Sequence, residues 1–231
     1  MAKPRHAASR DFESRLAADR NRVLESFNDS REITPLLDRY VAILLQWQAT
    51  TNLIAPSTIP ELWSRHIADS LQLLRLAPGA KRWADLGSGG GFPGLVIACA
   101  LTGQSDAVVH LVESNFKKAA FLREAVRLTG APAKVHAVRI EVFVDGFDET
   151  VEIVTARALA PLDNLLDKAY PLLKGGAQAL FLKGQDVEAE LTAASKCWTM
   201  DVELIPSITD AGGRILHIRS AARLVAPPSD A

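Results

Sequence analysis

Residues 85–94 constrain the fold of this chain most, because four glycines fall within the five positions from Gly87 to Gly91. An apolar stretch with β-strand character, 82–86, precedes them, and Pro93 opens an apolar segment, 93–101, that is typical of a helix. Glycine tolerates positive φ and lets the backbone approach a ligand closely, while a helix N-terminus offers unpaired N–H groups. The pattern predicts a strand–turn–helix cradle for a nucleotide-type ligand.

The spacing of the glycines and the carboxylate before them favour S-adenosylmethionine over NAD as that ligand. Gly87, Gly89 and Gly91 are spaced as Gly-x-Gly-x-Gly, whereas the dinucleotide fingerprint counted from Gly87 requires a third glycine where Phe92 stands. The charge of Asp85 would repel a pyrophosphate but suits the cationic amino-acid end of S-adenosylmethionine. A tight turn without a ligand is the remaining alternative.

Strand and helix patterns alternate after residue 80 and predict an α/β fold with a parallel sheet. The expected strands are 82–86, 107–113, 134–138, 151–156, 178–183, 201–208 and 214–219. The last two flank Asp210-Ala211-Gly212-Gly213, a hairpin signal. A seven-stranded sheet ending in an antiparallel hairpin describes a class I S-adenosylmethionine-dependent methyltransferase (Rossmann-like) better than an all-parallel dinucleotide fold.

Three amphipathic patterns, 11–27, 36–48 and 59–74, predict an N-terminal helical extension. We therefore expect a helical extension at 1–78, an α/β methyltransferase domain at 79–222 and a flexible tail at 223–231. On the third of these helices, His66 and Asp69 share one face, and the plainer interpretation is a hydrogen bond that tethers the helix to the sheet.

The formal net charge of −1 excludes a global basic field, so any nucleic-acid binding must be local. No apolar run is long enough to span a membrane, and residues 1–10 lack the apolar core of a secretory signal. We expect a cytoplasmic protein that does not bind membranes. We expect no metal site.

Two further positions fit a bound nucleoside. Glu113 ends the second strand, roughly twenty residues beyond the glycines, where a carboxylate accepts the ribose hydroxyls of NAD and S-adenosylmethionine alike. Ile140 and Glu141 follow the third strand, where an apolar side chain and a backbone amide can flank an adenine ring. The alternatives are a solvated carboxylate at 113 and a helix-terminal glutamate favoured by the helix dipole at 141.

Two cations, Arg157 and Lys183, end the fourth and fifth strands, at the sheet edge where ligands bind in open α/β folds. Neighbouring cations require an anionic partner, and RNA phosphate or the O6 and N7 acceptors of guanine would serve. Plain surface charges are the alternative. No cysteine, Asn/Asp-Pro-Pro segment or evident general base accompanies them. A methyl acceptor that needs no deprotonation, such as guanine N7, suits such a site, where positioning supplies most of the catalysis.

Over about residues 40–219 the chain resembles the bacterial small-subunit ribosomal RNA (guanine-N7) methyltransferase G family, also called glucose-inhibited division protein B. The resemblance rests on the order and spacing of short segments at 51–54, 65–70, 85–94, 140–141, 156–158 and 182–185. It implies a class I fold, S-adenosylmethionine as methyl donor and a guanine in a loop of 16S ribosomal RNA as acceptor. By position it implies cofactor contacts from Gly87, Phe92, Ile140, Glu141 and Arg157. It implies that Arg139 is a basic residue of the cleft.

On this interpretation Arg139, Arg157 and Lys183 are the catalytic residues, and the partner is small-subunit ribosomal RNA or a 30S particle. A monomer is expected. Two other functions remain open from the sequence, an NAD-dependent oxidoreductase and a non-catalytic ribosome-binding protein. Phe92 at the third glycine position and the terminal hairpin argue against the oxidoreductase.

Overall fold

In a computed structural model, which describes residues 4–27 and 32–224, the described chain folds around one seven-stranded mixed sheet. The strands are β1 (Arg82–Leu86), β2 (Val108–Val112), β3 (Ala133–His136), β4 (Ile153–Arg157), β5 (Gln178–Lys183), β6 (Trp198–Pro206) and β7 (Arg214–Arg223). Their order is β3-β2-β1-β4-β5-β7-β6. β1 to β5 run parallel, and β7 pairs antiparallel with both β5 and β6. The predicted sheet with a terminal antiparallel hairpin is confirmed.

The helices connect these strands and precede them. They are α1 (Pro4–Ser26), α2 (Thr34–Gln48), α3 (Asp69–Leu76), α4 (Gly94–Ala100), α5 (Phe116–Thr129), α6 (Ile140–Asp145), α7 (Leu162–Lys174) and α8 (Val187–Ala194). Local sequence sets their ends, as α5 illustrates. The Asn115 side chain accepts from the backbone N–H groups of Lys117 and Lys118 at 3.0 and 3.2 Å, and Gly130 ends the helix at φ +67°.

The predicted third helix, 59–74, is not one α-helix. The chain forms a 3₁₀-helix at Pro56–Glu61, a π-helix at Trp63–Ala68 and only then α3. Pro60 explains the first break, because proline has no N–H for a continuous α-helix and its ring crowds the preceding turn. The π-helix lies over the carboxyl edge of the sheet, and π-helical turns are frequent at functional sites.

Two apolar cores cover the two faces of the sheet. One contains Tyr40 of α2, Trp63 of the π-helix, Trp83 of β1 and Phe121 of α5, and the other packs α6, α7 and α8 against the opposite face. The N-terminal helices therefore share a core with the sheet. The division at residue 78 stays a prediction. β7 includes Arg223, one residue beyond the predicted end of the domain, and residues 225–231 of the predicted tail lie outside the described residues.

Across residues 4–27 and 32–224, no helix combines the length and the apolar character needed to cross a lipid bilayer.

Candidate active site

The glycine loop adopts the backbone that its composition predicts. Gly87, Gly89 and Gly91 have φ of +72°, +53° and +93°. A Cβ on Gly87 would lie 2.6 Å from Cδ1 of Leu159, and one on Gly91 would lie 2.8 Å from the hydroxyl oxygen of Tyr40. The positive φ therefore favours glycine at both positions, and at Gly91 the close packing of the buried Tyr40 favours it as well. A Cβ on Gly89 would meet nothing nearer than 3.8 Å, so this residue faces open space.

Gly94, at the start of α4, is a further glycine with a structural role that was not predicted from the sequence. A Cβ there would lie 2.5 Å from Cδ2 of Leu111 and 2.6 Å from Cβ of Asp85, so α4 packs directly on β1 and β2 through this residue. Counted from Gly89, the spacing 89–91–94 fits Gly-x-Gly-x-x-Gly. Phe92 therefore does not occupy the third glycine position, and that expectation is wrong: the pattern begins at Gly89 and not at Gly87.

Asp85 lies beneath the loop. Its Oδ1 accepts from the Thr155 hydroxyl at 2.8 Å, while its buried Oδ2 has no hydrogen-bond partner within the described residues. Burial raises the pKa of this carboxyl to about 6. Asp85 borders neither of the two cavities described below, so in this structure it supports the loop from within.

A cavity of about 350 Å³ opens above the glycine loop. The predicted site residues that line it are Gly87, Gly89, Glu113, Arg139, Ile140, Glu141 and Arg157. Its size falls within the range of small-molecule sites. The structure thus brings together the ends of β1, β2, β3 and β4, as expected for a parallel sheet. Gly91, Phe92 and Lys183 do not border this cavity.

The carboxylate of Glu113 lies on the floor of this cavity and fixes the loop. Its Oε2 accepts from the backbone N–H of Gly89 at 2.9 Å, and its Oε1 accepts from that of Asn115 at 2.7 Å. Each oxygen keeps a second lone pair, so the carboxylate remains able to accept from a ligand. The alternative of a freely solvated carboxylate is wrong, since Glu113 is buried.

At the start of α6, Ile140 is buried and Glu141 is largely exposed. Glu141 forms an ion pair with Lys168 of α7, and that hydrogen bond lowers the pKa of the carboxyl. Arg139 occupies the N-cap position. Glu141 both begins α6 and lines the cavity, so its position fits a helix-terminal glutamate as well as a site that flanks a bound adenine.

Phe92, which the resemblance implies is a cofactor contact, is buried and does not border the cavity above the glycine loop. Its ring is 4 % exposed and lies 5.3 Å from the ring of Tyr40 and 4.9 Å from that of His66, between centroids. The guanidinium carbon of Arg157 lies 5.1 Å above the same ring. Phe92 therefore supports Arg157 from below.

The two strand-end cations carry anionic partners from the chain itself. The Nη1 of Arg157 lies 3.6 Å from Oδ2 of Asp69 and donates to the carbonyl of Arg65 at 3.1 Å. The Nζ of Lys183 donates to Oε2 of Glu190 at 2.6 Å and to the carbonyl of Ala160 at 2.7 Å. The anionic partners that these cations require are therefore supplied within the chain, by carboxylates of α3 and α8. The alternative of plain surface charges is wrong.

Asp69 does tether its helix to the sheet. Besides its ion pair with Arg157, Asp69 accepts hydrogen bonds from the Thr209 hydroxyl at 2.7 Å and from the amide of Gln72 at 2.8 Å. Thr209 belongs to the β6–β7 turn, so one carboxylate joins α3, the end of β4 and the terminal hairpin. Burial raises the pKa of Asp69.

A second, larger cavity of about 880 Å³ lies beside the first. Its walls come from the π-helix, the β4–α7 loop, the end of β5 and the β6–β7 turn, and its cations are Arg22, Arg65, Arg157, Lys183 and Arg214. Arg157, Ala158 and Leu159 line both cavities. Ala158 has a positive φ of +49°, a conformation that non-glycine residues adopt rarely and mostly at functional sites.

A family model described as rRNA small subunit methyltransferase G matches residues 33–218. The chain is 56% identical to the ribosomal RNA small subunit methyltransferase G of Nitrobacter hamburgensis, over 99% of this chain and 86% of that protein. It is 60% identical to the protein of that name from Bradyrhizobium sp. strain BTAi1, over 88% and 91% of the two chains.

Among solved structures, the fold resembles an O-methyltransferase from Bacillus cereus, in complex with S-adenosylhomocysteine, with a TM-score of 0.55 and 14% identity. That likeness covers 78% of this chain and 90% of the other and shows the class I methyltransferase fold.

Proposed function

The chain belongs to the rRNA small subunit methyltransferase G family, and on that premise we propose that it methylates N7 of a guanine in small-subunit (16S) ribosomal RNA. It is an S-adenosylmethionine-dependent enzyme of the class I fold. The oxidoreductase and the non-catalytic ribosome-binding protein receive no support from these relationships. We also propose the N7 position of the guanine and a role for each site residue.

The 350 Å³ cavity suits S-adenosylmethionine, which supplies an electrophilic methyl group on a sulfonium. Gly89 leaves free space there, and its backbone conformation at φ +53° is one that a side chain would strain and fill. In the proposed arrangement Gly87 and Gly89 line the cofactor, Glu113 accepts the ribose hydroxyls and Ile140 flanks the adenine. Asp85, Gly91 and Phe92 act indirectly, by holding the loop and Arg157.

The observation that carries the proposal is the shared wall, Arg157-Ala158-Leu159, between the two cavities. A methyl group presented over that wall reaches a base in the larger cavity without crossing solvent. Enzymes that act on a base take it out of its stack and into a pocket of this kind.

The side chains of the larger cavity favour an acceptor that needs no proton removed. Asp69 and Glu190 are engaged with Arg157 and Lys183, and the pKa of His66 is lowered to about 3, chiefly by burial. Among the described residues that line this cavity, the other two carboxylates, Glu61 and Asp210, are exposed, and Asp210 lies 3.9 Å from Nη2 of Arg65. Guanine N7 offers a free lone pair, so positioning and electrostatics suffice.

Arg157 is the best placed of the three proposed catalytic residues. Its guanidinium carries five donors, and the bonds to Asp69 and Arg65 leave others for the O6 of a guanine. Lys183 acts by holding the β4–α7 loop through Ala160, and Arg139 contributes charge at the rim of the cofactor cavity. We include in the proposal a monomeric, cytoplasmic enzyme that acts on small-subunit ribosomal RNA or on the 30S particle.

Mass mapping of nucleosides tests the proposal. Small subunits from a strain without this protein are incubated with the purified chain and methyl-deuterated S-adenosylmethionine. One portion of the RNA is then digested to nucleosides, which identifies the modified base, and another to oligonucleotides, which locates it. We expect deuterated 7-methylguanosine at one site of the small-subunit RNA. Label in another methylated nucleoside, or no label in any subunit preparation, would contradict the proposed reaction.

A further inference from the structure

His66 lines the larger cavity, and its ring contains one buried polar atom without a partner among the described residues. The residue lies on the π-helix, is 8 % exposed and borders that cavity. Its ring packs on Phe92, and its Nδ1 has no hydrogen-bond partner in the part of the chain that the structure describes. A buried polar atom without a partner is costly, so such atoms are rare and their positions are informative.

The surroundings fix which ring nitrogen carries the proton. The Thr58 hydroxyl oxygen lies 2.8 Å from the carbonyl of Ala55 and 2.8 Å from Nε2 of His66. A carbonyl can only accept, so Thr58 donates its single hydrogen to Ala55. The same hydroxyl oxygen must then accept from Nε2–H of His66.

The ring is also neutral. Burial, followed by the nearby charges of Arg157 and Arg65, lowers the pKa of His66 to about 3. A neutral imidazole protonated at Nε2 has an unprotonated Nδ1. That atom is therefore a fixed hydrogen-bond acceptor that the protein leaves unused.

We propose that Nδ1 of His66, which is covered in this structure, becomes accessible when the target guanine enters the larger cavity and then accepts a hydrogen bond from N1–H of that guanine. This contact selects guanine against adenine. The inference rests on the proposed function, since it assigns a base to the larger cavity. Guanine carries a donor at N1, whereas adenine carries an acceptor there, which would oppose Nδ1 without a proton between them. N1 lies on the opposite ring from N7, so a base held by its N1–H keeps N7 free.

The same wall completes the recognition. O6 of guanine is bonded to the carbon beside N1, and the guanidinium of Arg157 supplies donors for it. Both His66 and Arg157 pack on Phe92, at 4.9 and 5.1 Å. The Phe92 ring thus positions both His66, the acceptor for N1–H, and Arg157, the donor to O6. A site built around a substrate N–H rejects analogues without it far better than a merely apolar pocket does.

Two substitutions separate the two ring nitrogens. In His66→Gln the side-chain amide reaches the position of Nε2 and keeps the contact with Thr58, but no acceptor remains at the position of Nδ1. In His66→Asn the amide oxygen stands near the position of Nδ1, while the contact with Thr58 is lost. A purely structural role through Thr58 would make the Asn variant the weaker one, and the proposed role makes the Gln variant the weaker one.

The test measures binding of guanosine, inosine, 1-methylguanosine and adenosine monophosphates to the S-adenosylhomocysteine-loaded protein, with ¹⁵N NMR of the His66 ring. We expect the wild type to bind the guanosine and inosine nucleotides at least about tenfold more tightly than the other two. The Nδ1 resonance should shift on binding. His66→Gln should lose the preference, and His66→Asn should retain most of it.

Four results would overturn the inference. Two concern the wild type without its base or with guanosine monophosphate: a His66 ring protonated at Nδ1 in the unliganded protein, or no binding of guanosine monophosphate. The other two are equal binding of the 1-methyl nucleotide and an unchanged preference in His66→Gln. Its failure is distinguishable from failure of the proposed function. If the subunit assay yields deuterated 7-methylguanosine, the proposed function holds. Any of the four results above would then exclude only the role of His66.

Discussion

Arg157→Ala should destabilise the fold measurably, because it removes the cation between α3 and the end of β4. Breaking a fully buried ion pair by deleting one partner costs about 3–5 kcal/mol. Here the two side chains are 19% and 15% exposed, and Asp69 keeps its bonds from Thr209 and Gln72. We therefore expect a loss of about 2–3 kcal/mol in the free energy of unfolding, including the contact of the guanidinium with Phe92.

Urea denaturation of four proteins measures this effect: wild type, Arg157→Ala, Asp69→Asn and the double variant. Removing the charge of Asp69 relieves the unpaired carboxylate that Arg157→Ala leaves behind, so the coupling energy should be about 1–2 kcal/mol. Arg219→Ala is the matched control, because its ion pairs with Asp201 and Glu203 are solvent-exposed and therefore contribute little to stability. An Arg157→Ala protein as stable as the control, or a coupling energy of zero, would refute this reasoning.

Three further predictions concern the cofactor cavity, His66 and α1. Gly89→Ala should weaken binding of S-adenosylhomocysteine roughly tenfold or more in calorimetry, because the added Cβ enters open cavity space. Gly130→Ala, also at positive φ, should leave the affinity unchanged. Equal affinities of the two variants for S-adenosylhomocysteine would contradict the proposed site. Because the pKa of His66 is lowered to about 3, its ring gains a proton on unfolding below the unfolded pKa near 6.5. Between pH 7 and pH 5 the wild type should lose about 2 kcal/mol more unfolding free energy than His66→Gln, and parallel pH profiles would count against a neutral ring. Asp19→Ala should cost about 2 kcal/mol in urea denaturation, because the carboxylate accepts from the N–H groups of Trp63 at 2.8 Å and Ser64 at 3.0 Å at the start of the π-helix. Asp38→Ala, which removes only a surface pair with Arg20, should cost about 0.5 kcal/mol, and a similar loss in both variants would argue against this role of α1.

Local sequence was sufficient for much of the fold. β1 and β5 have the bounds that were predicted, because each is a short apolar run ended by a glycine or lysine–glycine turn. The hairpin at residues 210–213 and the positive φ of the glycine loop were likewise set by composition over a few residues. Such features depend on backbone conformation, which neighbouring residues determine.

Local sequence could not predict which side chains contact the site residues. Arg157 and Asp69 are 88 positions apart, and Thr209 is a further 52 positions from Arg157, so only the folded sheet brings the three together. The burial of Phe92 depends on α2 and the π-helix, neither of which adjoins it in sequence. By contrast, Gly94 carried a readable signal, the spacing from Gly89 and Gly91, which a second count would have revealed.

A crystal structure of the protein soaked with S-adenosylhomocysteine tests the central claim most directly, namely that the cofactor and the acceptor base occupy adjoining cavities across Arg157-Ala158-Leu159. We predict that the nucleoside lies between Gly89 and Ile140, that its ribose contacts Glu113 and that its sulfur faces the larger cavity. Density for the ligand elsewhere, or a sulfur turned away from that wall, would contradict the account.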